Sequence, residues 1–328
     1  MNKRKKIAII STVPIMIFFF LRNHIKFFSK NYQVVVFTKK NDTNDVLKFL
    51  PSKVKVVDIP FRRKINLFYD LYSLIKLTSN VYQNEFDIIY SISPKAGFLS
   101  MVAGKMVGIP IRINNFTGQQ WVIKKGFQRQ IIKFVDSATA KLATLNLVDG
   151  KSQQQFLIKN NIVNKINSKV IKHGSICGVN LKQFLPNNKN KDLIRTKLGI
   201  PKKDIVFIYL GRVNKDKGID KIAIAITNLL KQNFSVSLLI VGPQEDPVLD
   251  GVKKIFNCYK DSLNVVPFTS RPEIYLQASD VFCTLSNKEG FGNSIIEAGA
   301  CGLPSIGSNI YGLKDSILHN KTGYLVDR

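Results

Sequence analysis

Short apolar runs rich in β-branched residues alternate with longer amphipathic stretches along the whole chain. A first series of such runs falls at residues 7–11, 33–38, 54–59, 87–91, 111–114, 145–148 and 169–171. A second falls at 205–210, 235–241, 264–266, 281–285, 304–308 and 323–326. Period-2 or continuous apolar runs of this length read as strands, and the stretches between them carry helical spacing, as at 65–81, 127–145, 218–232, 271–277 and 294–300. Strictly alternating strands and helices predict parallel sheets covered by helices on both faces. The fold class expected is therefore α/β, with two Rossmann-like, doubly wound parallel-sheet domains facing a cleft. The first domain is assigned to residues 1–178 and the second to 179–328, with the polar stretch 183–204 as a linker around one short helix at 192–198. In such sheets ligands bind at the carboxyl ends of the strands, near the point where strand order reverses.

The N-terminus imitates a signal peptide, since Met1–Lys6 is basic and residues 7–21 are mostly apolar. Pro14 interrupts that run, no small-residue cleavage site follows, and Arg22, His24 and Lys26 come directly after it. The run also falls short of the roughly 20 residues needed to span a bilayer. It reads as a buried strand, a turn and an apolar helix.

Composition changes this picture in one respect. Of the net charge of +27, residues 1–180 hold 29 Lys and Arg against 8 Asp and Glu, whereas residues 181–328 hold 20 against 14. The basic runs Lys3–Lys6, Arg62-Arg63-Lys64 and Lys124-Lys125 lie beside aromatic or apolar residues such as Phe61, Phe68, Tyr69, Tyr72 and Phe127. Basic residues interleaved with aromatics suit an anionic membrane surface or a lipid diphosphate. Solvated surface lysines account for part of the excess. Nucleic acid would fit the same interleaving through phosphate contacts and base stacking. No recognition-helix or RNA-binding signature accompanies it, so no nucleic-acid partner is expected. The four cysteines form no C-x-x-C pair and no zinc-ligating spacing, and no Asp-x-Asp occurs in the sequence.

Two constellations carry chemistry. Gly211-Arg212-Val213-Asn214-Lys215-Asp216-Lys217-Gly218 follows an apolar strand and opens an amphipathic helix. A helix N-terminus offers unpaired N–H groups and a positive dipole end, and Arg212 and Lys217 add a planar fork and a point charge, a set that suits a diphosphate. By itself this is equally a lysine-rich surface turn. Glu289-Gly290-Phe291-Gly292-Asn293-Ser294-Ile295-Ile296-Glu297 is more specific. With Asn293 as N-cap, Glu297 stands one turn into a helix and Glu289 in the loop before it. Both carboxylates then face the strand ends around two glycines that let a ligand approach the backbone. A carboxylate accepts two hydroxyl hydrogen bonds, which is how sugars and riboses are held. Ser11-Thr12-Val13-Pro14 after the first strand lacks Gly-x-Gly-x-x-Gly, which argues against a dinucleotide oxidoreductase.

In this order, with Ala278-Ser279-Asp280, Leu285-Ser286, Gly302-Leu303-Pro304, Gly323 and the crossing segment Gly174-Ser175, Gly178-Val179-Asn180 and Phe184, the chain resembles the retaining glycosyltransferases of family 4, which have the GT-B fold. Ser93-Pro94-Lys95-Ala96-Gly97 and Phe116-Thr117-Gly118-Gln119 are similar to bacterial members that build O-antigen and capsule on polyprenyl diphosphate carriers. The resemblance implies transfer of a hexose or N-acetylhexosamine from a UDP-sugar to a lipid-linked glycan, with no cofactor and no metal. It implies a cytoplasmic protein peripheral on the inner face of the membrane, held through its basic first domain.

For individual residues, the resemblance implies that Arg212 and Lys217, at the turn begun by Gly211, bind the donor diphosphate. Glu289, with the backbone of Gly290, Phe291, Gly292 and Asn293, contacts the donor sugar, and Glu297 the ribose; Glu289, Arg212 and Lys217 carry catalysis. Gly242 and Phe268 stand where such enzymes wrap the nucleobase. Asn114, Thr117 and Gly118 are the first-domain contacts, Asn114 standing where the family often has a histidine. His24, His173 and His319 read as structural or surface residues. The family usually continues past the turn matching Gly323-Tyr324-Leu325 with further helices, so the second domain is expected to be cut short. A soluble acceptor, or a donor-binding subunit with impaired turnover, is the alternative function.

Overall fold

A computed structural model describes residues 4–40 and 47–327, which leaves Lys3 of the basic N-terminal run outside the described residues. The chain divides into two compact units, Met1–Cys177 and Gly178–Arg328.

The first unit is a seven-stranded sheet in the order β3-β2-β1-β4-β5-β6-β7, parallel throughout. Its strands are β1 (Lys6–Ser11), β2 (Gln33–Thr38), β3 (Lys55–Asp58), β4 (Ile88–Ile92), β5 (Ile111–Phe116), β6 (Leu145–Val148) and β7 (Ser168–Val170). Its helices are α1 (Pro14–Met16), α2 (Arg22–Asn31), α3 (Leu67–Asn84), α4 (Pro94–Val107), α5 (Gly126–Leu142) and α6 (Lys151–Lys159). β1 and β2 are buried over almost their whole length, as strands covered on both faces must be, which is why they read as unbroken apolar runs. The apolar run after β1 is no single helix. α1 passes into a π-helical turn, Ile17–Leu21, and then into α2, and Ile17, Leu21 and Ile25 pack under Ile7, Ile9, Val34 and Val36. Among the described residues no helix is long and apolar enough to cross a membrane.

The second unit is a six-stranded parallel sheet in the order β10-β9-β8-β11-β12-β13. Its strands are β8 (Ile205–Leu210), β9 (Val236–Val241), β10 (Leu263–Val266), β11 (Val281–Thr284), β12 (Ser305–Ser308) and β13 (Gly323–Val326). Its helices are α7 (Asn188–Leu198), α8 (Ile219–Lys231), α9 (Val248–Ile255), α10 (Glu273–Gln277) and α11 (Asn293–Ala300). Both units are thus Rossmann-like, and in both the strand order reverses beside the first strand.

The stretch read as a linker is not one. Phe184 and Ile200 enter the core of the second unit with Val206, Leu276 and Phe282, and α7 packs on α10. Arg195 of α7 is buried, donating from Nε to the Ala278 carbonyl (2.8 Å) and from Nη1 to the Asp204 carbonyl (3.1 Å), and it pairs through Nη2 with Asp280 (2.5 Å). Lys191 adds a second pair to Asp280, at 2.7 Å. Polar composition marked this segment as exposed, and most of its polar residues are, but Arg195 and Lys191 are spent on a network that ties it to the second unit.

Arg195→Ala leaves Asp280 its Lys191 pair and its Val206 N–H, but takes the donor from the Ala278 and Asp204 carbonyls. It is therefore expected to destabilise the second unit by about 1–3 kcal/mol. Urea unfolding followed by circular dichroism checks this, and a loss below about 1 kcal/mol contradicts it.

Candidate functional site

In the second unit the predicted residues converge on the carboxyl ends of β8, β9 and β11. β8 is followed by Gly211, whose N–H donates to the Val241 carbonyl at the end of β9 (2.9 Å). Gly242 then turns with φ +144°, and a Cβ there would stand 1.8 Å from the Gly211 carbonyl oxygen, so the two turns meet backbone to backbone. Gly242 N–H donates in turn to the Val266 carbonyl at the end of β10 (3.0 Å), and half-exposed Phe268 lies two residues further on. Gly211, Gly242 and Phe268 thus belong to one rim.

The turn after β8 runs through a 3-10 segment, Lys215–Lys217, into α8. Gly218 breaks the two apart in the left-handed conformation, with φ +65°, and a Cβ on it would come within 2.3 Å of the Leu285 carbonyl oxygen. This contact presses the turn against the loop that follows β11, and Asn287 N–H donates across to the Asp216 carbonyl (2.7 Å). As a result Lys217 Nζ lies 2.5 Å from Glu289 Oε1, although 72 positions separate them. Ser286 Oγ donates to the same oxygen (2.8 Å) and exchanges a hydrogen bond with Thr284 Oγ1 (3.0 Å). Burial pushes the Glu289 carboxyl up, but the Lys217 ammonium, the Ser286 hydroxyl and the Arg212 charge together hold it below the usual carboxylate range.

Arg212 is placed differently. Its side chain is half exposed and pairs with Glu245 (2.8 Å), which also accepts from Asn214 Nδ2 (3.0 Å). Tyr209, buried beneath the turn, donates its hydroxyl to the Arg212 carbonyl (2.7 Å) and so fixes the backbone from which Arg212 projects. Ser286 was read from sequence only as part of the Leu285-Ser286 motif, without a role, and Glu245 and Tyr209 were not singled out.

α11 opens differently from the sequence reading. Its cap is Gly292, in the left-handed conformation with φ +80° and with no side-chain cap bond, and Asn293 is the first helical residue. A Cβ on Gly292 would crowd Leu313 and Ile295 to within 2.8 Å, so the cap position has no room for asparagine. The first N–H groups of such a helix have no acceptor within it, and at α11 they follow directly on Gly290, Phe291 and Gly292. Phe291 turns inward and is buried. Glu297, one turn along, is half-buried; burial and then the neighbouring Glu273 charge push its carboxyl up to about 7. Glu289 and Glu297 thus have opposite electrostatics, the first held ionised by a lysine and the second poised near neutrality.

In the first unit Asn114, Thr117 and Gly118 line one small pocket at the carboxyl end of β5, with Ser93, Pro94 and Asp136. Asn114 is only 3% exposed, and its Oδ1 accepts from Ser91 Oγ (3.1 Å). Ser93, at φ +90°, joins the end of β4 to the end of β1 through its hydroxyl and that of Thr12 (2.8 Å). Of the histidines, His24 lies in α2 with its Nδ1 buried and without a partner, and His319 accepts from Leu325 N–H (3.1 Å). Among the described residues no group of three or more His, Cys, Asp or Glu side chains is placed to hold a metal ion.

Residues 190–328 match the family model described as glycosyl transferases group 1. The chain is 27% identical over 324 residues to the capsular polysaccharide biosynthesis glycosyltransferase CapM of Staphylococcus aureus, covering 98% of this chain and 82% of that protein. It is 25% identical to the UDP-Gal:alpha-D-GlcNAc-diphosphoundecaprenol alpha-1,3-galactosyltransferase of Escherichia coli, over 87% of this chain and 74% of the relative. The crystal structure of HepE from Anabaena in complex with UDP and glucose superposes with a TM-score of 0.77 at 18% identity, over 98% of this chain and 86% of that one. At that identity the likeness shows the fold, the GT-B fold expected from the sequence.

A raised carboxyl means that the folded chain keeps a proton that the unfolded chain releases. Stability linked to Glu297 is therefore lost as pH rises from about 4.5 towards about 7. Glu297→Gln removes that loss. The variant is expected to melt higher than wild type above pH ~7 and level with it near pH ~4.5. Thermal melts at the two pH values check this, and an equal gap at both contradicts it.

Proposed function

We propose that this chain is a group 1 glycosyltransferase, a retaining enzyme that moves a hexose or N-acetylhexosamine from a UDP-sugar to a polyprenyl-diphosphate-linked glycan in surface polysaccharide synthesis. The observation that carries this reading is the Lys217–Glu289 pair, a cation and an ionised carboxylate held 2.5 Å apart beside two helix N-termini. Two phosphates and a sugar hydroxyl need this set: a point charge for phosphate oxygen, N–H groups at a dipole end, and a carboxylate that accepts from hydroxyls. The galactosyltransferase relative, named for a UDP-sugar donor and a diphosphoundecaprenol acceptor, supports the substrate classes, and the HepE complex supports UDP.

In the proposed mechanism the diphosphate lies over the Gly211–Lys217 turn, with Arg212 and Lys217 on either side. Glu289 and the Gly290–Asn293 backbone hold the sugar, and Glu297 takes the ribose hydroxyls. As the sugar–phosphate bond breaks, charge grows on the leaving phosphate, where Lys217 and the helix N-termini stabilise it most. The leaving phosphate takes the acceptor's proton, so attack and departure share one face and configuration is retained. No metal and no cofactor enter this scheme. The enzyme would work in the cytoplasm, peripheral on the inner face of the membrane that carries its acceptor.

One observation favours the second reading, a donor-binding subunit with impaired turnover. Asn114 stands where the family often has a histidine, and its buried Oδ1 is engaged by Ser91. UDP release from a panel of UDP-sugars, with and without a lipid-linked acceptor, separates the readings. Lipid-dependent release is expected, and Lys217→Ala and Glu289→Ala are expected to lower kcat/KM by about a hundredfold or more. Donor binding without release under any condition supports the second reading, and full activity in both variants overturns the assignment of the site.

A further inference from the structure

The corner that joins Lys217 to Glu289 holds a lysine that the proposed mechanism does not use. Lys288 stands on the loop after β11, between Asn287, whose N–H donates to the Asp216 carbonyl (2.7 Å), and Glu289, which pairs with Lys217. That loop is pressed on the turn after β8 by the contact of Gly218 with the Leu285 carbonyl. A lysine on a loop is ordinarily solvated. The Lys288 side chain is only 12% exposed, against 52% for that of Arg212.

Among the described residues three ion pairs tie the turn after β8 to its surroundings, and they are not alike. Lys217 and Glu289 lie 2.5 Å apart, and Arg212 and Glu245 2.8 Å. Lys288 Nζ stands 3.6 Å from Asp216 Oδ2, too far for a hydrogen bond, and the Asp216 side chain is open to water. Burial pulls the Lys288 ammonium below the usual lysine range. Asp216 opposes that pull, and the Lys217 and Arg212 charges add to it. An ammonium already stripped of water gains more from an arriving anion than a solvated one does. A donor diphosphate adds negative charge to this turn, so a carboxylate has to yield. Glu289 is held further by the Ser286 hydroxyl, and Glu245 by Asn214 Nδ2. Asp216, exposed and farthest from its cation, gives way most readily.

We propose that Lys288 is a further cation for the donor diphosphate, and that Asp216 occupies it until the phosphates displace that carboxylate. Lys288 then joins Lys217 and Arg212 against the charge that grows on the leaving phosphate as the sugar–phosphate bond breaks. The proposal deepens the UDP-sugar reading of this corner and rests on it. The two residues have opposite effects under this scheme, since one binds phosphate and the other competes with it. If Lys288 only braced the turn through Asp216, loss of either residue would break the same contact and have the same effect.

The experiment is calorimetric titration of the full chain with UDP and with uridine, in wild type, K288M and D216N. Uridine lacks the phosphates, so it reports any change in the shape of the site apart from its charge. K288M is expected to weaken UDP by about ten- to a hundredfold and to leave uridine within about twofold of wild type. D216N is expected to tighten UDP by up to about fivefold, again without effect on uridine. Unchanged UDP affinity in K288M, an equal loss for uridine, or weaker UDP binding in both variants overturns the proposal. Should K288M fail to fold, D216N still decides, since its position is exposed: tighter UDP supports the proposal and weaker UDP overturns it. UDP binding by wild type that K288M leaves intact overturns this proposal alone. No UDP binding by wild type overturns the donor reading, and the proposal with it.

Discussion

Three places where one backbone must touch another give the second unit its site. A Cβ on Gly242 would overlap the Gly211 carbonyl, one on Gly218 the Leu285 carbonyl, and one on Gly312 the Glu289 carbonyl, at 1.8, 2.3 and 2.0 Å. These contacts draw together the turns after β8 and β9, the loop after β11 and the segment after β12. Side chains larger than hydrogen at any of the three would hold the loops apart by more than a hydrogen bond's tolerance. Lys217 and Glu289 then have no room to avoid each other. Their pair leaves a partly buried carboxylate ionised, which burial alone would not allow.

The architecture was legible because parallel sheets leave a plain mark: inner strands such as β1, β2 and β9 are buried on both faces and read as apolar runs, and amphipathic stretches separate most of the strands. Among the described residues all thirteen strands fall on runs visible in the sequence. The departures have local causes. Helical spacing alone would begin α3 at residue 65, but Asn66 accepts from Tyr69 N–H (3.1 Å) and starts it at Leu67. The stretch 183–204 looked like a linker because the few polar groups that anchor it are matched by partners some 80 to 90 residues away, such as Ala278 and Asp280 for Arg195, which composition does not register. Asn293 looked like a cap because asparagine favours that position, yet crowding by Leu313 and Ile295 reserves it for Gly292.

Within the site, residue types were easier to read than geometry. The lysine of one turn and the glutamate of another each had a chemical rationale alone, but nothing in their spacing announces a direct ion pair. Gly312 acts by lacking a side chain and Tyr209 by a hydroxyl that holds the Arg212 carbonyl, so neither carries a signal in composition or periodicity. The outward side of α3, where Phe68 and Tyr72 are exposed, is the opposite case. Its aromatics and the basic run before it were visible at once, but the fold had to show that the core is filled from the other side and that Asp70 is already taken by Lys95.

The proposed function stands on the Lys217–Glu289 corner holding a nucleoside diphosphate sugar, which a crystal structure of the protein soaked with UDP-sugar would show. The diphosphate is expected against Lys217 and the start of α8, with the sugar on Glu289 and the Gly290–Asn293 backbone. Nucleotide bound elsewhere on the second unit, or a corner left unoccupied at saturating donor with the Lys217–Glu289 pair unchanged, contradicts it.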